Sequence, residues 1–425
     1  MSQLLDNILS RSNMLEAYNQ VRANKGSAGI DGITIDEIDD YLRKHWRSTK
    51  ELIKQRKYKP QPVLRVEIPK PNGGVRQLGI PTVMDRMIQQ AIVQVISPIC
   101  EPYFSDKSYG FRPNRSCEHA VIQLLEYLND GYEWVVDIDL EKFFDTVPQD
   151  RLMSLVHNII QDGDTESLIR KYIHSGVVIN GQRYKTLVGT PQGGNLSPLL
   201  SNIMLNELDK ELENRGLRFV RYADDCVITV GSEAAAKRVM HSISRYIEKR
   251  LGLKVNMTKT KIVRPSKLKY LGFGFWKSSE GWKSRPHQDS VQSFKRKLKK
   301  LTARKWSIDL DNRIERLNWV IRGWINYFSM TNMKSVMENI DERLRTRIRV
   351  IIWKQWKKKS RRLWGLLKLG VPKWIADKVS GWGDHYQLVA QRSVLKRAIS
   401  KPVLAKRGLV SCLDYYLKRH ALKVS

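Results

Sequence analysis

Residues 218–230 read RFVRYADDCVITV, and the four at their centre, Tyr222-Ala223-Asp224-Asp225, decide how the rest of the chain is read. The flanks are rich in β-branched and aromatic residues, which suits two short strands joined by a tight turn at the polar centre. Adjacent carboxylates repel each other, and residues 226–232 contain no Lys or Arg to neutralise them. A turn made only for stability gains nothing from such a pair. Hard divalent cations, by contrast, take oxygen ligands and are commonly held by one or two carboxylates plus substrate phosphates. A hairpin tip with neighbouring acids is a natural half of a two-metal phosphoryl-transfer site, in which the ions stand about 3.5–4 Å apart.

A second acidic strand supplies the other half. Residues 134–147 read WVVDIDLEKFFDTV. Val136, Ile138 and Leu140 form an apolar face to be buried, and Asp137 and Asp139 share the opposite parity with Val135. Parity alone leaves the choice between Asp137 and Asp139 open. Trp134 before them and Phe143-Phe144 after them suggest a core location, where acids need a partner or a metal.

Two further stretches carry turn chemistry. Residues 190–212, TPQGGNLSPLLSNIMLNELDKEL, open with a Pro/Gly turn and pass into a helix with Leu196, Leu199, Leu200, Ile203, Met204 and Leu208 at helical spacing. Gly193 and Gly194 let backbone approach a ligand closely. In residues 65–92, RVEIPKPNGGVRQLGIPTVMDRMIQQAI, Asn72-Gly73 marks a hairpin, with Lys70 and Arg76 on its two strands. A basic pair there suits a triphosphate or simply a solvated surface. The stripe Met84, Met87, Ile88, Ala91, Ile92, Val95, Ile96 and Ile99 reads as a core helix.

Taken together, DIDLEKFFDTV and RYADD resemble the metal-binding A and C motifs of reverse transcriptases. The family's D-x-x-K-x-F-D pattern falls on Asp139, Lys142, Phe144 and Asp145. The resemblance therefore selects Asp139, with Asp224 and Asp225, as the catalytic ligands of two Mg²⁺ ions, with Mn²⁺ as a substitute. It implies that Phe144 is the steric gate against a ribose 2′-hydroxyl, that Gln192 touches the incoming dNTP, and that Lys70 and Arg76 hold its triphosphate. NKGSAGIDGIT, SYGFRPNRS, TPQGGNLSP, LKYLGFGF and RGWINYF follow one another as in bacterial group II intron-encoded reverse transcriptase/maturases, closest in look to the compact IIC type. The similarity runs over essentially all of residues 10–425.

Its implied fold is α+β: a right-hand polymerase with fingers and palm on an antiparallel sheet, then a helical thumb and a basic C-terminal domain. The expected divisions are 1–40 for an N-terminal extension, 41–289 for fingers and palm, 290–362 for a maturase-type thumb, and 363–425 for a DNA- and RNA-binding domain. The basic run KKKSRR, residues 357–362, marks the last junction. The implied function is RNA-directed DNA synthesis together with maturase assistance to splicing and intron mobility. Implied partners are the group II intron RNA, an RNA template with a DNA primer, target DNA and dNTPs. Arg112, Arg115, Tyr222, Lys295 and Arg296 are the expected template, primer or RNA contacts, although a structural loop equally explains Arg112 and Arg115.

Charge agrees with nucleic acid as partner. Of the formal +32, residues 291–425 carry 33 Lys+Arg against 9 Asp+Glu, and residues 1–290 carry 42 against 34. The C-terminal third thus holds three quarters of the net charge, along with eight of the twelve tryptophans. Basic residues interleaved with aromatics suit phosphate contact and base stacking. No apolar run is long enough to span a membrane and no signal peptide is evident. The eight histidines lack metal spacing. Cys100, Cys117, Cys226 and Cys412 form neither a zinc pattern nor a disulfide framework, so a reduced bacterial cytoplasm is expected. The paired cysteines of an H-N-H nuclease domain are not found, which leads to the expectation of insertion without self-made nicks. Two rival classes remain: an RNA-binding splicing factor without polymerase activity, and the reverse transcriptase of a retron or diversity-generating element.

Overall fold

The computed structural model describes residues 2–69, 73–186, 188–190, 193–383 and 385–424. The chain packs as two units, Met1–Pro265 and Ser266–Ser425, and its class is α+β.

Among the described residues, the first unit has the strands β1 (Val63–Pro69), β2 (Val75–Ile80), β3 (Trp134–Ile138), β4 (Val177–Ile179), β5 (Gln182–Tyr184), β6 (Arg218–Tyr222), β7 (Asp225–Val230) and β8 (Lys261–Val263). One sheet runs β6-β7-β3-β8 with every pair antiparallel, as expected. The other runs β2-β1-β4-β5 and is mixed, because Val63 pairs in parallel with Val177. The β4–β5 turn falls on Asn180-Gly181, whose positive φ angles of 50° and 82° fit the primed turns of tight hairpins.

The helix Val83–Cys100 starts at Thr82, whose side chain accepts from Asp85 N, and buries Met84, Met87, Ile88, Ala91, Ile92 and Ile96. The helix Ser197–Asn214 is buried on nearly every side, and such a helix belongs inside a core. Its interior polar groups are therefore paired: Asn206 Nδ2 donates to Tyr103 O at 2.8 Å, and its Oδ1 accepts from Ser105 N at 3.2 Å. The N-terminal helices Gln3–Ile8 and Arg11–Ala23 put Leu5, Ile8, Met14 and Ala17 into the same core. These two helices are thus packed into this unit.

The second unit opens with β9 (Lys269–Tyr270), β10 (Phe273–Ser278) and β11 (Gly281–Pro286), an antiparallel sheet followed by helices. In the helix Gln288–Leu301, Phe294 stacks on Trp324 of the helix Leu310–Phe328, ring centroids 4.5 Å apart. Phe328 packs in turn against Phe273, at 4.9 Å. The run KKKSRR forms no open linker. It enters the helix Lys359–Lys368, where buried Arg362 donates from Nε to Trp356 O and from Nη1 to Trp382 O, both at 2.9 Å. Trp353, Leu366, Ala376 and Leu395 share one buried cluster across that region. Among the described residues, no helix is long and apolar enough to cross a membrane.

Candidate active site

The β6–β7 hairpin pairs Tyr222 with Asp225, leaving Ala223 and Asp224 as a two-residue turn with Ala223 at φ +57°. Its strands are rooted by Phe219, Val220, Cys226, Val227 and Ile228, all buried. Beneath the turn lies a buried charge: Arg221 is fully buried. Its guanidinium donates to Asp209 Oδ1 at 2.7 Å, Asn202 Oδ1 at 3.0 Å and Ala223 O at 2.9 Å. The ion pair thus grips the turn's own carbonyl, and the helix Ser197–Asn214 becomes its foundation.

β3 lies between β7 and β8, with Asp137 opposite Val227 and Ile138 opposite Cys226. One step on, this register brings Asp139 level with Asp225 at the end of the sheet. Asp139 is fixed through its backbone, its N–H donating to Thr260 Oγ1 at 3.1 Å and its carbonyl accepting from Asn256 N at 2.8 Å. Lys259 Nζ stands 3.5 Å from Asp139 Oδ1, and Lys261 Nζ 3.6 Å from Asp137 Oδ2. Sequence reasoning missed these two lysines. Their signal was present in TKTK, residues 258–261: Lys261 opens β8 opposite Asp137, and Lys259 lies in the turn just before it.

The carboxylates perturb one another. Asp225 reaches solvent at its tip, yet the protein around it, then Asp224, Asp137 and Asp139, pushes its carboxyl up to about 6, against a weaker pull from Arg76. Burial also raises Asp137, with Lys261 opposing. Among the described residues no three His, Cys, Asp or Glu side chains form a finished ion cluster. The donor chemistry nonetheless fits a hard divalent cation: all-oxygen groups whose repulsion a cation would relieve.

A linkage prediction follows. Asp225's folded value lies above its ordinary 3.8, so protonation favours the fold, and that contribution is lost as pH rises through about 6. A cation that replaces the proton acts where the carboxylate is ionised. Added Mg²⁺ should therefore raise the unfolding temperature more above pH 6 than below pH 5, and Asp225→Asn should lose most of that rise. A shift independent of pH in both proteins would remove the cation from this position.

The remaining predicted residues fall as follows. Arg76 on β2 is exposed, opposite Ile68, and near enough to Asp225 to influence its charge. Lys70, Asn72 and Gln192 lie outside the described residues. Phe144 is half-buried beside buried Phe143, the rings edge-to-face at 5.2 Å. Its carbonyl accepts from Thr190 N at 2.6 Å, while Gly189 N donates to Val147 O at 2.8 Å. A Cβ on Gly189, at φ +85°, would stand 2.6 Å from Phe144 O, so only glycine fits this contact. Gln149 Nε2 secures the same loop at Gly189 O, 2.7 Å away. Gly193 is similarly close to Gly79, where a Cβ would meet O at 2.2 Å.

Tyr222 is half-buried, its ring 6.4 Å from that of Phe111; burial, then a hydrogen bond with Cys117, pushes its hydroxyl up to about 12. Arg112, for which template contact and a structural loop were both open, is buried, with its guanidinium 2.7 Å from Glu101 Oε1 and donating to Ser108 O at 3.0 Å. Arg115 bonds Asp106 Oδ1 at 2.7 Å and covers the Tyr109 ring. Lys295, half-buried, and Arg296, exposed, lie in the second unit, on the helix Gln288–Leu301.

With this geometry in place, comparisons with known proteins can be read. Residues 68–275 match the family described as reverse transcriptase (RNA-dependent DNA polymerase). Residues 291–370 match the group II intron, maturase-specific domain. Protein YkfC of Escherichia coli K12 is 35% identical over 59% of this chain and 76% of its own. The group II intron-encoded protein LtrA of Lactococcus lactis subsp. cremoris is 37% identical over 54% of this chain and 38% of its own. A COX1/OXI3 intron 2 protein of Saccharomyces cerevisiae is 32% identical over 65% of this chain and 39% of its own. The chain thus spans about two fifths of the length of the last two.

Proposed function

Because the chain belongs to the family of group II intron-encoded reverse transcriptase/maturases, we infer that it copies RNA into DNA and binds its own intron RNA to assist splicing and mobility. The observation that carries the catalytic half is the meeting of β3 and the β6–β7 turn, where burial first, then Asp224, Asp137 and Asp139, raise Asp225. Perturbed acids gathered at one sheet end are a signature of chemistry. The test is extension of a DNA primer on an RNA template with Mg²⁺ and dNTPs. No extension by the intact protein would overturn this reading in favour of an RNA-binding factor.

In the reaction the primer 3′-oxygen forms a bond to the α-phosphorus of a dNTP, and the bond to pyrophosphate breaks. Asp139, Asp224 and Asp225 would hold two divalent cations, which supply charge stabilisation to the attacking and leaving oxygens. Arg76 and Lys70 would neutralise the triphosphate, and Gln192 would orient the nucleotide. Phe144, half-buried and tied by its backbone to Thr190, would occupy the space of a 2′-hydroxyl. Phe144→Val should therefore raise ribonucleotide use relative to deoxyribonucleotide, read as the ratio of the two kcat/KM values. An unchanged ratio in a folded variant would leave Phe144 as core alone.

We assign the RNA-binding half to the second unit, with the exposed run Lys357, Lys358, Lys359 and Arg361 as phosphate contacts. Truncation at residue 363 is a poor test, since it cuts the helix Lys359–Lys368 and removes Leu366 from the cluster around Trp353. Neutralising the four by Gln should weaken intron RNA binding. It should also flatten the log–log salt dependence by about 0.7 for each single-strand phosphate left without its cation. An unchanged slope would place the phosphate contacts elsewhere.

A further inference from the structure

Asp145 closes the motif that begins at Asp139 and includes Phe144, yet the reaction as written above gives it no part. Its side chain is 38% exposed, and Oδ1 accepts from Arg65 Nη2 at 3.1 Å. Arg65 stands on β1, far back in the chain, with its side chain 22% exposed. An ion pair this open to water adds little to stability. Its place among the surrounding contacts is what sets it apart.

Asp145 follows Phe144 directly in the short helix Phe143–Thr146, which Lys142 enters at φ +46°. Asp145 N donates to Lys142 O at 2.8 Å and closes that turn. A Cβ on Gly189 would meet Phe144 O at 2.6 Å and Asp145 O at 2.8 Å, and Thr190 N donates to Phe144 O. Gly193, three positions further along the chain, packs on Gly79 O of β2. Gly79 in turn stands opposite Arg65 in the β1–β2 ladder. These contacts close a ring: β1 to Asp145, the Phe144 turn to Gly189 and Thr190, Gly193 to β2, and β2 back to β1. Backbone makes the last three links, which tolerate most side-chain exchanges. The ion pair is the link in this ring that a substitution can cut.

We propose that Arg65 and Asp145 are positioning residues for sugar choice: their ion pair fixes the Phe144 turn against the sheet that carries Arg76. The inference rests on the polymerase reading above, in which Arg76 holds the triphosphate and Phe144 screens the 2′ position. One end of the nucleotide is then set by β2 and the other is measured by the ring, so selectivity depends on the spacing between them. A displacement of about 1 Å can cost on the order of 100-fold in rate. A pair too weak to matter for folding can therefore matter for discrimination.

The test uses the full chain as Arg65→Gln, Asp145→Asn, the double variant, Arg65→Lys and Phe144→Val. It measures the ratio of kcat/KM for dNTP to that for rNTP, the KM for primer–template, and thermal unfolding. Each single neutralisation should lower the ratio on the order of 10-fold. The double should fall no further than either single, since both cut the same link. Lys keeps the charge without the planar fork and should recover part of the ratio. Unfolding should shift by less than about 3 °C, and the KM for primer–template should not change. An unchanged ratio in both single variants, where Phe144→Val alters it, would overturn the pair and leave the gate standing. Losses that add in the double would overturn it too, by making the two residues independent. A raised KM for primer–template in Arg65→Gln but not in Asp145→Asn would make Arg65 a nucleic-acid contact instead. An unchanged ratio in Phe144→Val would remove the gate reading, and this inference with it.

Discussion

With Asn in place of Asp225, primer extension on an RNA template should fall to background while affinity for that RNA stays within a few-fold. The exchange keeps the side chain's size and removes its charge, at a position where burial and then the neighbouring carboxylates push the carboxyl up to about 6. A ligand that acts in the transition state governs rate, whereas template binding rests on basic surfaces elsewhere. Asp224→Asn should behave the same way. Asp139→Asn should be as damaging and Asp137→Asn much less so, because Asp137 lies within β3 opposite Val227 and beside Lys261, two residues back from the sheet end. Strong extension by both turn variants would remove the metal assignment. A more harmful change at Asp137 than at Asp139 would instead transfer the role to the inner acid.

The second large effect is expected beneath the turn, at a residue with no reach to substrate. Arg221→Met should destabilise the first unit by about 3–5 kcal/mol, the usual consequence of leaving one member of a buried ion pair uncompensated. Asp209 would keep its charge in the core, and Ala223 O and Asn202 Oδ1 would each lose a donor. The denaturant midpoint should fall with little change in slope. Adding Asp209→Leu should restore part of the loss, since removing both charges is far less harmful than removing one. A wild-type midpoint in the single variant, or no recovery in the double, would show that the pair contributes little. Extension in the double variant should still lag, because the turn's carbonyl remains ungripped.

These two predictions mark where the sequence was legible. The hairpin around Ala223-Asp224, the strand before Asp139, the stripe from Met84 to Ile96 and the Asn180-Gly181 turn all rest on periodicity or turn chemistry within a few neighbours, and the structure has each. The parallel pairing of β1 with β4 was illegible, because a local pattern carries no mark of a partner far along the chain. The burial of Arg221 and Arg112 was illegible for a related reason. A guanidinium reads as surface until the carboxylates that receive it, Asp209 and Glu101, are brought up by other elements. Asp139 over Asp137 was a choice that parity could not make; resemblance made it, and the register now puts Asp139 level with Asp225.

The contact between Gly189 and the carbonyl of Phe144 also bears on how the chain could be altered. The hydrogen bonds there run from backbone to backbone, so they survive most side-chain exchanges at position 144 and transmit any shift of that segment to residues 189 and 190. Variation at the two places should then be epistatic, since residues that share a backbone contact couple their effects. A search for altered sugar preference that explores position 144 alone samples a single row of a larger table. Libraries that vary 144 together with 188 and 190, keeping glycine at 189, address the whole unit, and combinations neutral or harmful singly are where new substrate ranges would be found.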